Sequence, residues 1–322
     1  MSRPADIYTL VADIGGTNTR VALAEGPRVL TETTRRFRNA EHPGLESVLR
    51  AFLAAEGDVD CRGACIAIAG PVRDGRGTLT NLDWTMDHDT LRRATQAETV
   101  AILNDLQAQG HALDHIAPEN LAPVLPGPAA RPDAAKLVIG VGTGFNAAPV
   151  YATPAGRFVP PSEAGHASLP TRTEADMRLN RFVETAHGFP AVEDVLSGRG
   201  LERVYAWLGA EAGDPRELTA AAIVTALAEG SDDRAVEAAQ TFVRILGMVA
   251  GNLALNTLPF GGVYLIGGVV RALTPWLSPY GFAEAFRDKG RFSLFMEDFA
   301  VHVVEDDYAA LTGCAGYLVQ IC

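Results

Sequence analysis

Two glycine-rich segments of this sequence have the composition of phosphate-binding turns. Residues 13–18 read DIGGTN, and residues 140–144 read GVGTG. Glycine leaves backbone N–H groups open to an anion because no Cβ blocks the approach. Asp13 ends an apolar run, where its carboxylate has the chemistry to hold Mg²⁺ through water. A hairpin turn with a polar cap or an ordinary bend would explain either segment alone. Their joint occurrence favours phosphate binding.

The two commonest nucleotide-binding signatures do not occur here. No Gly-Lys-Ser or Gly-Lys-Thr is found anywhere in the chain, which excludes a P-loop of the Walker type. The glycines of the second segment stand at 140, 142 and 144, which is not the spacing of a Rossmann turn. Pro149 and Val150 follow where that fold would continue a helix. The two turns therefore belong to another class of nucleotide site.

Asp105 is a carboxylate whose predicted place could serve either chemistry or helix capping. It follows Asn104 at the end of an apolar strand predicted over Val100–Leu103. A carboxylate in that place can accept a proton from an alcohol and hold the alcohol oxygen in line for attack. The structural alternative is that Asn104 and Asp105 only cap the next helix.

Three further polar residues have side chains that could form hydrogen bonds to a ligand. Glu163 and His166 lie in the segment EAGH, and Glu193 lies in VEDVLSG. Carboxylates accept two donors each, which suits a ligand with neighbouring hydroxyl groups. The alternatives are a solvated loop charge for Glu163, a surface or locally bonded ring for His166, and a first-turn helix acid for Glu193.

Alternating strand and helix patterns must position these residues. Apolar runs flank both glycine turns, and the stretch 135–153 repeats the strand–turn–strand design of residues 7–26. A helical apolar stripe follows the first unit of this design: Leu45, Val48, Leu49, Phe52 and Leu53. The alternation predicts an α/β fold, and the repeat predicts two related halves with a cleft between them.

A proline-rich stretch separates the two halves. Five prolines fall between residues 118 and 132, where neither a helix nor the interior of a sheet can continue. We expect the domain boundary there, although a surface loop explains the prolines nearly as well. Helices are predicted over 217–229 and 232–258, a buried strand at 262–268, and a last helix over 308–321.

Composition excludes several partner classes. The formal net charge of −12 repels a phosphate backbone, so we expect no binding to nucleic acid. The four cysteines form neither a disulfide framework nor CxxC pairs, which favours a reducing cytoplasm. The opening residues are polar, and we expect no signal peptide. Residues 245–270 carry no charge, but their asparagines and proline favour a buried helix and strand over a membrane span.

Seven motifs occur in the order and approximate spacing of the bacterial ATP-dependent glucokinases, and the chain resembles this family from residue 7 to residue 318. The motifs are DIGGTNTR, LNDLQAQG, GVGTG, EAGH, EDVLSGRGL, LIGG and DKGRF. The family belongs to the hexokinase–actin–heat-shock chaperone superfamily. The resemblance implies two ribonuclease-H-like (actin-like ATPase) α/β domains flanking a cleft. The small domain would comprise residues 1–117 with the C-terminal helix 306–322, and the large domain residues 118–305.

The resemblance also implies roles for individual residues. It assigns nucleotide binding to Asp13, Ile14, Gly15, Gly16, Thr17 and Asn18 in a first loop, Gly142, Thr143 and Gly144 in a second, and Gly267 and Gly268 in an adenosine-side turn. It assigns the sugar site to Asn104, Asp105, Glu163, His166 and Glu193, with Asp105 as catalytic base and Asn81 nearby. Two departures stand out: Asn146 replaces a frequent glycine, and Pro161 and Ser162 precede Glu163.

The implied activity is ATP-dependent phosphorylation of the 6-hydroxyl of glucose, which gives glucose 6-phosphate and ADP. ATP and Mg²⁺ would be required, with the metal held by Asp13 through water. We expect a cytoplasmic homodimer. A kinase for fructose, mannose or an amino sugar is the main alternative. A sugar-sensing protein without activity is less favoured because six residues precede the first strand, too few for a DNA-binding domain. A chaperone-type ATPase is disfavoured because no substrate-binding domain follows.

Overall fold

The computed structural model describes residues 7–79 and 82–322, which fold into two compact α/β units. The first unit contains the described residues up to Ala117 together with Ala152–Pro161 and Asp306–Cys322, and the second contains Pro118–Tyr151 and Ser162–Glu305. The predicted boundary left 152–161 in the large domain, but this segment packs in the first unit. Its contacts there include Gln107 Nε2 donating to the Val159 carbonyl at 2.8 Å.

The described chain contains fifteen strands and ten α-helices. The strands are β1 Tyr8–Ile14, β2 Asn18–Glu25, β3 Arg28–Val29, β4 Arg35–Arg38, β5 Gly63–Ile68, β6 Val72–Arg73, β7 Arg76–Leu79, β8 Leu82–Asp87, β9 Thr99–Asn104, β10 Leu121–Leu125, β11 Lys136–Val141, β12 Phe145–Thr153, β13 Gly156–Phe158, β14 Val263–Ile266 and β15 Val301–Val304. The helices are α1 Leu45–Ala55, α2 His88–Thr95, α3 Asp105–Ala112, α4 Glu174–Glu184, α5 Gly198–Glu211, α6 Ala220–Glu229, α7 Asp233–Thr257, α8 Gly268–Leu277, α9 Phe282–Arg287 and α10 Ala309–Ile321.

The main sheet of the first unit is covered on both faces. Its strand order is β3-β2-β1-β5-β9, with β4 also paired to β2. One apolar cluster packs α1 and α2 against one face, and the five apolar residues of the predicted stripe on α1 are all buried in it. A second cluster packs α10 and part of α3 against the other face. The alternating pattern of strands and helices therefore gave the correct α/β class.

The second unit is built on a sheet of order β10-β15-β14-β11-β12-β13. Its core gathers α4 to α9 around these strands. The proline-rich stretch was expected to be a linker or a loop, and this was wrong for residues 121–125, which form β10. Pro123 is accommodated because β10 is an edge strand whose register with β15 shifts between Pro123 and Leu125.

Among the described residues one helix, α7, is long and apolar enough by length and composition to cross a membrane. Most of its apolar side chains are buried within the second unit; Phe242, Leu246 and Ala250 have no exposed surface. The prediction of a buried helix followed by a buried strand, β14, is thereby confirmed. The four cysteines are free thiols, and three of them are buried.

Candidate active site

The first glycine turn joins β1 to β2. Gly15 N–H donates to the Asn18 carbonyl at 3.0 Å, and the Asn39 side chain donates to the Gly15 carbonyl at 2.8 Å. Neither Gly15 nor Gly16 has a positive φ, so the backbone conformation does not require glycine here. The two glycines instead leave the cavity beside the turn free of side-chain atoms. The turn lines a cavity of about 290 Å³ whose walls are Asp13, Gly15, Gly16, Thr17, Asn18, Arg20 and Arg36.

Asp13 is the single carboxylate in the lining of this cavity. The residue is partly exposed, yet its carboxyl group is surrounded closely enough that desolvation raises its pKa, while Arg20 acts in the opposite direction. A cation beside Asp13 would favour the ionised form. Within residues 7–79 and 82–322 no three His, Cys, Asp or Glu side chains converge on a metal-sized site. This donor set fits Mg²⁺, which commonly binds one or two carboxylates and completes its shell with water and phosphate oxygens.

Asp105 lies at the junction of β9 and α3. The Asn104 side-chain oxygen and Asp105 Oδ1 both accept the Leu106 N–H, at 3.0 and 2.8 Å. Asn104 Nδ2 also donates to the Gly70 carbonyl at 3.1 Å. The capping role considered as an alternative is therefore present. It holds both half-buried side chains in fixed orientations, which a catalytic role also requires.

The sheet register brings the first turn and Asp105 to the same edge. In the parallel pairs of β1 with β5 and of β5 with β9, Ile14 is opposite Ile68 and Ile68 is opposite Asn104. The three strands thus end at one level. Because the carboxyl ends of parallel strands meet at a single edge, the glycine turn and Asp105 share the ligand-facing edge of this sheet.

The second glycine turn is enclosed by two helix N-termini. Gly198 N–H, at the start of α5, donates to the Gly142 carbonyl at 2.9 Å. A Cβ on Gly142 would be 3.9 Å from the backbone nitrogen of Gly268, where α8 begins. Gly267 has φ of +118°, and a Cβ there would be 2.4 Å from the Val141 carbonyl oxygen, so only glycine fits. Helix N-termini favour anions, so the second turn lies in surroundings that suit an anion.

Glu193 supports the second turn. Its Oε2 accepts the Phe145 N–H at 2.9 Å, and its Oε1 lies 3.5 Å from Arg199 Nη2. A Cβ on Gly144 would be 2.5 Å from the same Oε2, so a side chain there would displace this carboxylate from the turn. The half-buried Glu193 therefore has a bracing role in addition to the predicted sugar contact.

Glu163 precedes a 3₁₀ turn over Ala164–His166, and His166 is the last residue of that turn. Both side chains are more than half exposed, and Glu163 Oε2 is 3.9 Å from His166 Nε2. Gly165 packs on Phe145, where a Cβ would be 2.0 Å from the carbonyl oxygen, and on the Cβ of Glu193 at 3.5 Å. The second unit thus gathers Glu163, His166 and Glu193 beside its glycine turn. Asn81 lies outside the described residues.

Comparison with known proteins decides the family. The family model described as Glucokinase matches residues 10–321. The chain belongs to the glucokinase family. A glucokinase of Chromobacterium violaceum is 36% identical over 312 residues, which cover 97% of this chain and 89% of the relative. A glucokinase of Marinobacter nauticus is 33% identical and covers 97% of both chains. The crystal structure of a glucokinase from an Antarctic psychrotroph has a TM-score of 0.86 at 30% identity, with 97% of this chain and 98% of that chain covered.

Membership of the glucokinase family confirms three predictions from the sequence. The resemblance to glucokinases, the pair of actin-like ATPase domains and the ATP-dependent kinase activity on glucose are all supported. A ROK hexokinase from Thermus thermophilus, at 22% identity and a TM-score of 0.67, shares the fold. Since the relatives are enzymes by name, a sensing protein without activity is not favoured.

Two arginines of this glucokinase-family site were missed by the sequence reasoning. Arg20 and Arg36 line the cavity of the first turn and stand opposite each other in the β2–β4 pair. They place positive charge beside the turn in a chain of net charge −12. Arg20 follows Asn18 by two residues on one strand, a spacing that points both side chains to one face and could have been read from the sequence. Arg36 carried no comparable signal.

Proposed function

We propose that this enzyme transfers the γ-phosphoryl group of ATP to the 6-hydroxyl of glucose with Asp105 as the general base. The observation that carries the proposal is the shared sheet edge, where the level ends of β1, β5 and β9 hold the glycine turn and Asp105 together. Phosphoryl transfer requires an in-line hydroxyl and neutralisation of charge on the phosphate oxygens.

Asp105 would accept the proton of the sugar 6-hydroxyl as its oxygen bonds to the γ-phosphorus. The bond between that phosphorus and the bridging oxygen breaks, and ADP leaves with the electron pair. Because the transition state is loose, much of the contribution of Asp105 is orientation of the hydroxyl. The bonds of Asn104 and Asp105 to the Leu106 N–H supply that orientation before the substrate arrives.

The nucleotide would be bound by both glycine turns. Asp13 to Asn18 offer open backbone donors and two hydroxyl or amide side chains, and Arg20 and Arg36 would offset phosphate charge. Gly142, Thr143 and Gly144 with Gly267 and Gly268 lie at helix N-termini in the second unit. Asp13 would hold Mg²⁺ through water, and the bound metal would neutralise charge on the β- and γ-phosphate oxygens.

The sugar would be recognised by Asn104, Glu163, His166 and Glu193. Their carboxylate, amide and ring groups match the donors and acceptors of hexose hydroxyl groups. A glucokinase of Balamuthia mandrillaris has been solved with glucose, and a ROK family glucokinase of Streptomyces griseus with glucose and AMPPNP. A coupled assay across a hexose panel would measure how strongly the enzyme prefers glucose.

We further propose that the enzyme is a cytoplasmic homodimer. Each subunit would consist of a small and a large domain. Four free thiols fit a reducing compartment. Sedimentation over a range of concentrations tests the assembly, since the dimer would have about twice the chain mass of 34.1 kDa.

The deciding experiment replaces Asp105. Asp105→Asn keeps an oxygen that can accept the Leu106 N–H but cannot accept a proton at neutral pH. We expect kcat to fall by roughly 10² to 10⁴ while hexose binding, measured by calorimetry, persists. Asp60→Asn, an exposed change in the same unit, should leave turnover unaltered. Near-normal turnover of Asp105→Asn would refute the base assignment.

A further inference from the structure

We propose that Asn146 is a positioning residue that holds the hexose loop in its binding conformation. The hexose loop is defined here as residues 162–166. The proposal rests on the function proposed above, because it assumes that Glu163 and His166 contact the sugar.

The Asn146 side chain bridges two segments that are distant in sequence. Its Nδ2 donates to the Ser162 carbonyl at 2.5 Å. Its Oδ1 accepts the Ala164 N–H at 2.9 Å and the Ala147 N–H at 2.8 Å. These bonds hold the backbone on both sides of Glu163. Because Glu163 itself is exposed, its direction depends on the backbone that carries it.

The neutral amide of Asn146 satisfies both sides of this arrangement. The loop presents a carbonyl at Ser162 and an N–H at Ala164, so the bridging group must donate and accept at once. Aspartate would set a carboxylate oxygen against the Ser162 carbonyl, and alanine or glycine would offer neither function. An unpaired backbone group in this half-buried place carries a free-energy cost, which would favour other loop conformations.

The neighbouring phosphate turn is held by contacts that do not involve the Asn146 side chain. Gly142 N–H donates to the Gly144 carbonyl, Gly198 N–H donates to the Gly142 carbonyl, and Glu193 accepts the Phe145 N–H. The backbone pairing of β11 with β12 continues through Asn146 regardless of its side chain. Loss of the amide should therefore affect the sugar and spare the nucleotide.

The test measures KM for glucose and for ATP in Asn146→Ala. We expect KM for glucose to rise roughly tenfold or more, since the variant loses two hydrogen bonds to the loop, while KM for ATP changes less than about twofold. Asn146→Asp should also raise KM for glucose, because its carboxylate cannot donate to the Ser162 carbonyl. Asn252→Ala, an exposed change on α7 of the same unit, should leave both constants as in the parent.

Hydrogen exchange gives a readout that does not depend on turnover. Faster exchange of the Ala164 amide in Asn146→Ala, with the amides of residues 140–144 unchanged, supports the proposal. An unchanged KM for glucose, or equal rises for glucose and ATP, would overturn it while leaving the proposed function intact. If the parent enzyme released no ADP in response to glucose, the proposed function itself would be refuted.

Discussion

The carboxyl group of Asp13 shows how a binding residue can lower the stability of the free protein. Desolvation raises its pKa, so the ionised form is less favourable in the folded chain than in the unfolded chain. The free-energy penalty is absent below the unfolded pKa near 3.8 and is complete once the pH exceeds the raised pKa. The proposed role of Asp13 in holding Mg²⁺ requires the ionised form, which would account for a carboxylate kept at this cost.

Asp13→Asn should accordingly stabilise the free protein and impair the enzyme. We expect its melting temperature to exceed that of the parent at pH 7 and the difference to shrink as the pH falls towards 4, because the raised pKa leaves Asp13 increasingly protonated in the folded state. ATP turnover should drop sharply in the same variant. Thermal unfolding from pH 4 to 8 measures the first effect, with Asp60→Asn as the control. A stability difference independent of pH would contradict the argument.

The residue-level site was predictable where a role follows from local sequence. The glycine turns, Asp13 and Asp105 each stand at the end of an apolar strand, so their exposure at a sheet edge followed from the pattern. The bond from the Phe145 N–H to Glu193 joins residues 48 apart, and the position of Arg36 depends on the pairing of β4 with β2. Such contacts exist only once the chain is folded, and no local spacing encodes them.

At the scale of elements, the contact of α10 with α3 is unusually close. A Cβ on Gly313 of α10 would be 1.6 Å from the Ala108 carbonyl oxygen of α3. Any side chain at this position would therefore force the two helices apart. Gly316 is the matched position on the same helix, because a Cβ there would meet the His115 ring at 3.0 Å and the His111 carbonyl oxygen at an ordinary contact distance of 3.5 Å. Substitution at Gly313 therefore tests a clash with backbone, and substitution at Gly316 tests a closest contact with a side chain.

Gly313→Ala should destabilise the first unit even though alanine favours helix by about 1 kcal/mol over glycine. Overpacking of a close contact costs roughly 1 to 3 kcal/mol or more, and here the obstacle is backbone. Denaturant unfolding should show a clear loss for Gly313→Ala and a much smaller change, or a gain, for Gly316→Ala. A stabilised Gly313→Ala would mean that α10 is not packed against α3 at this distance.

The predicted elements succeeded where periodicity and burial agree. The stripe on α1 and the apolar runs of β1 and β11 were recognisable because each buries one face or both. The strand β10 was missed because the prolines at 118, 123 and 126 argue against a strand. They are tolerated because β10 lies at an edge of its sheet, and the sequence alone does not reveal that position.

At the scale of the whole molecule, the chain is divided into two units with separate cores and separate binding residues. The first unit holds the turn of Gly15 and Gly16 with Asp105, and the second holds Glu163, His166 and Glu193. The net charge of −12 for the whole chain makes local donors necessary for an anionic nucleotide, and the proposed site would supply them from its backbone turns, helix N-termini and two arginines. Sugar binding and nucleotide binding should therefore be separable by substitution.

Ligand-induced thermal protection tests this separation. At concentrations near 100 times Kd, glucose or AMPPNP with Mg²⁺ should each stabilise the parent protein by about 2.7 kcal/mol, a rise of a few degrees in melting temperature. Gly16→Val should abolish the AMPPNP shift and keep the glucose shift, because its side chain fills the open turn. Glu163→Gln should do the reverse, since this exposed residue belongs to the hexose loop. If either variant lost both shifts while retaining the melting temperature of the free parent, the assignment of the two ligands to separate sets of residues would be wrong.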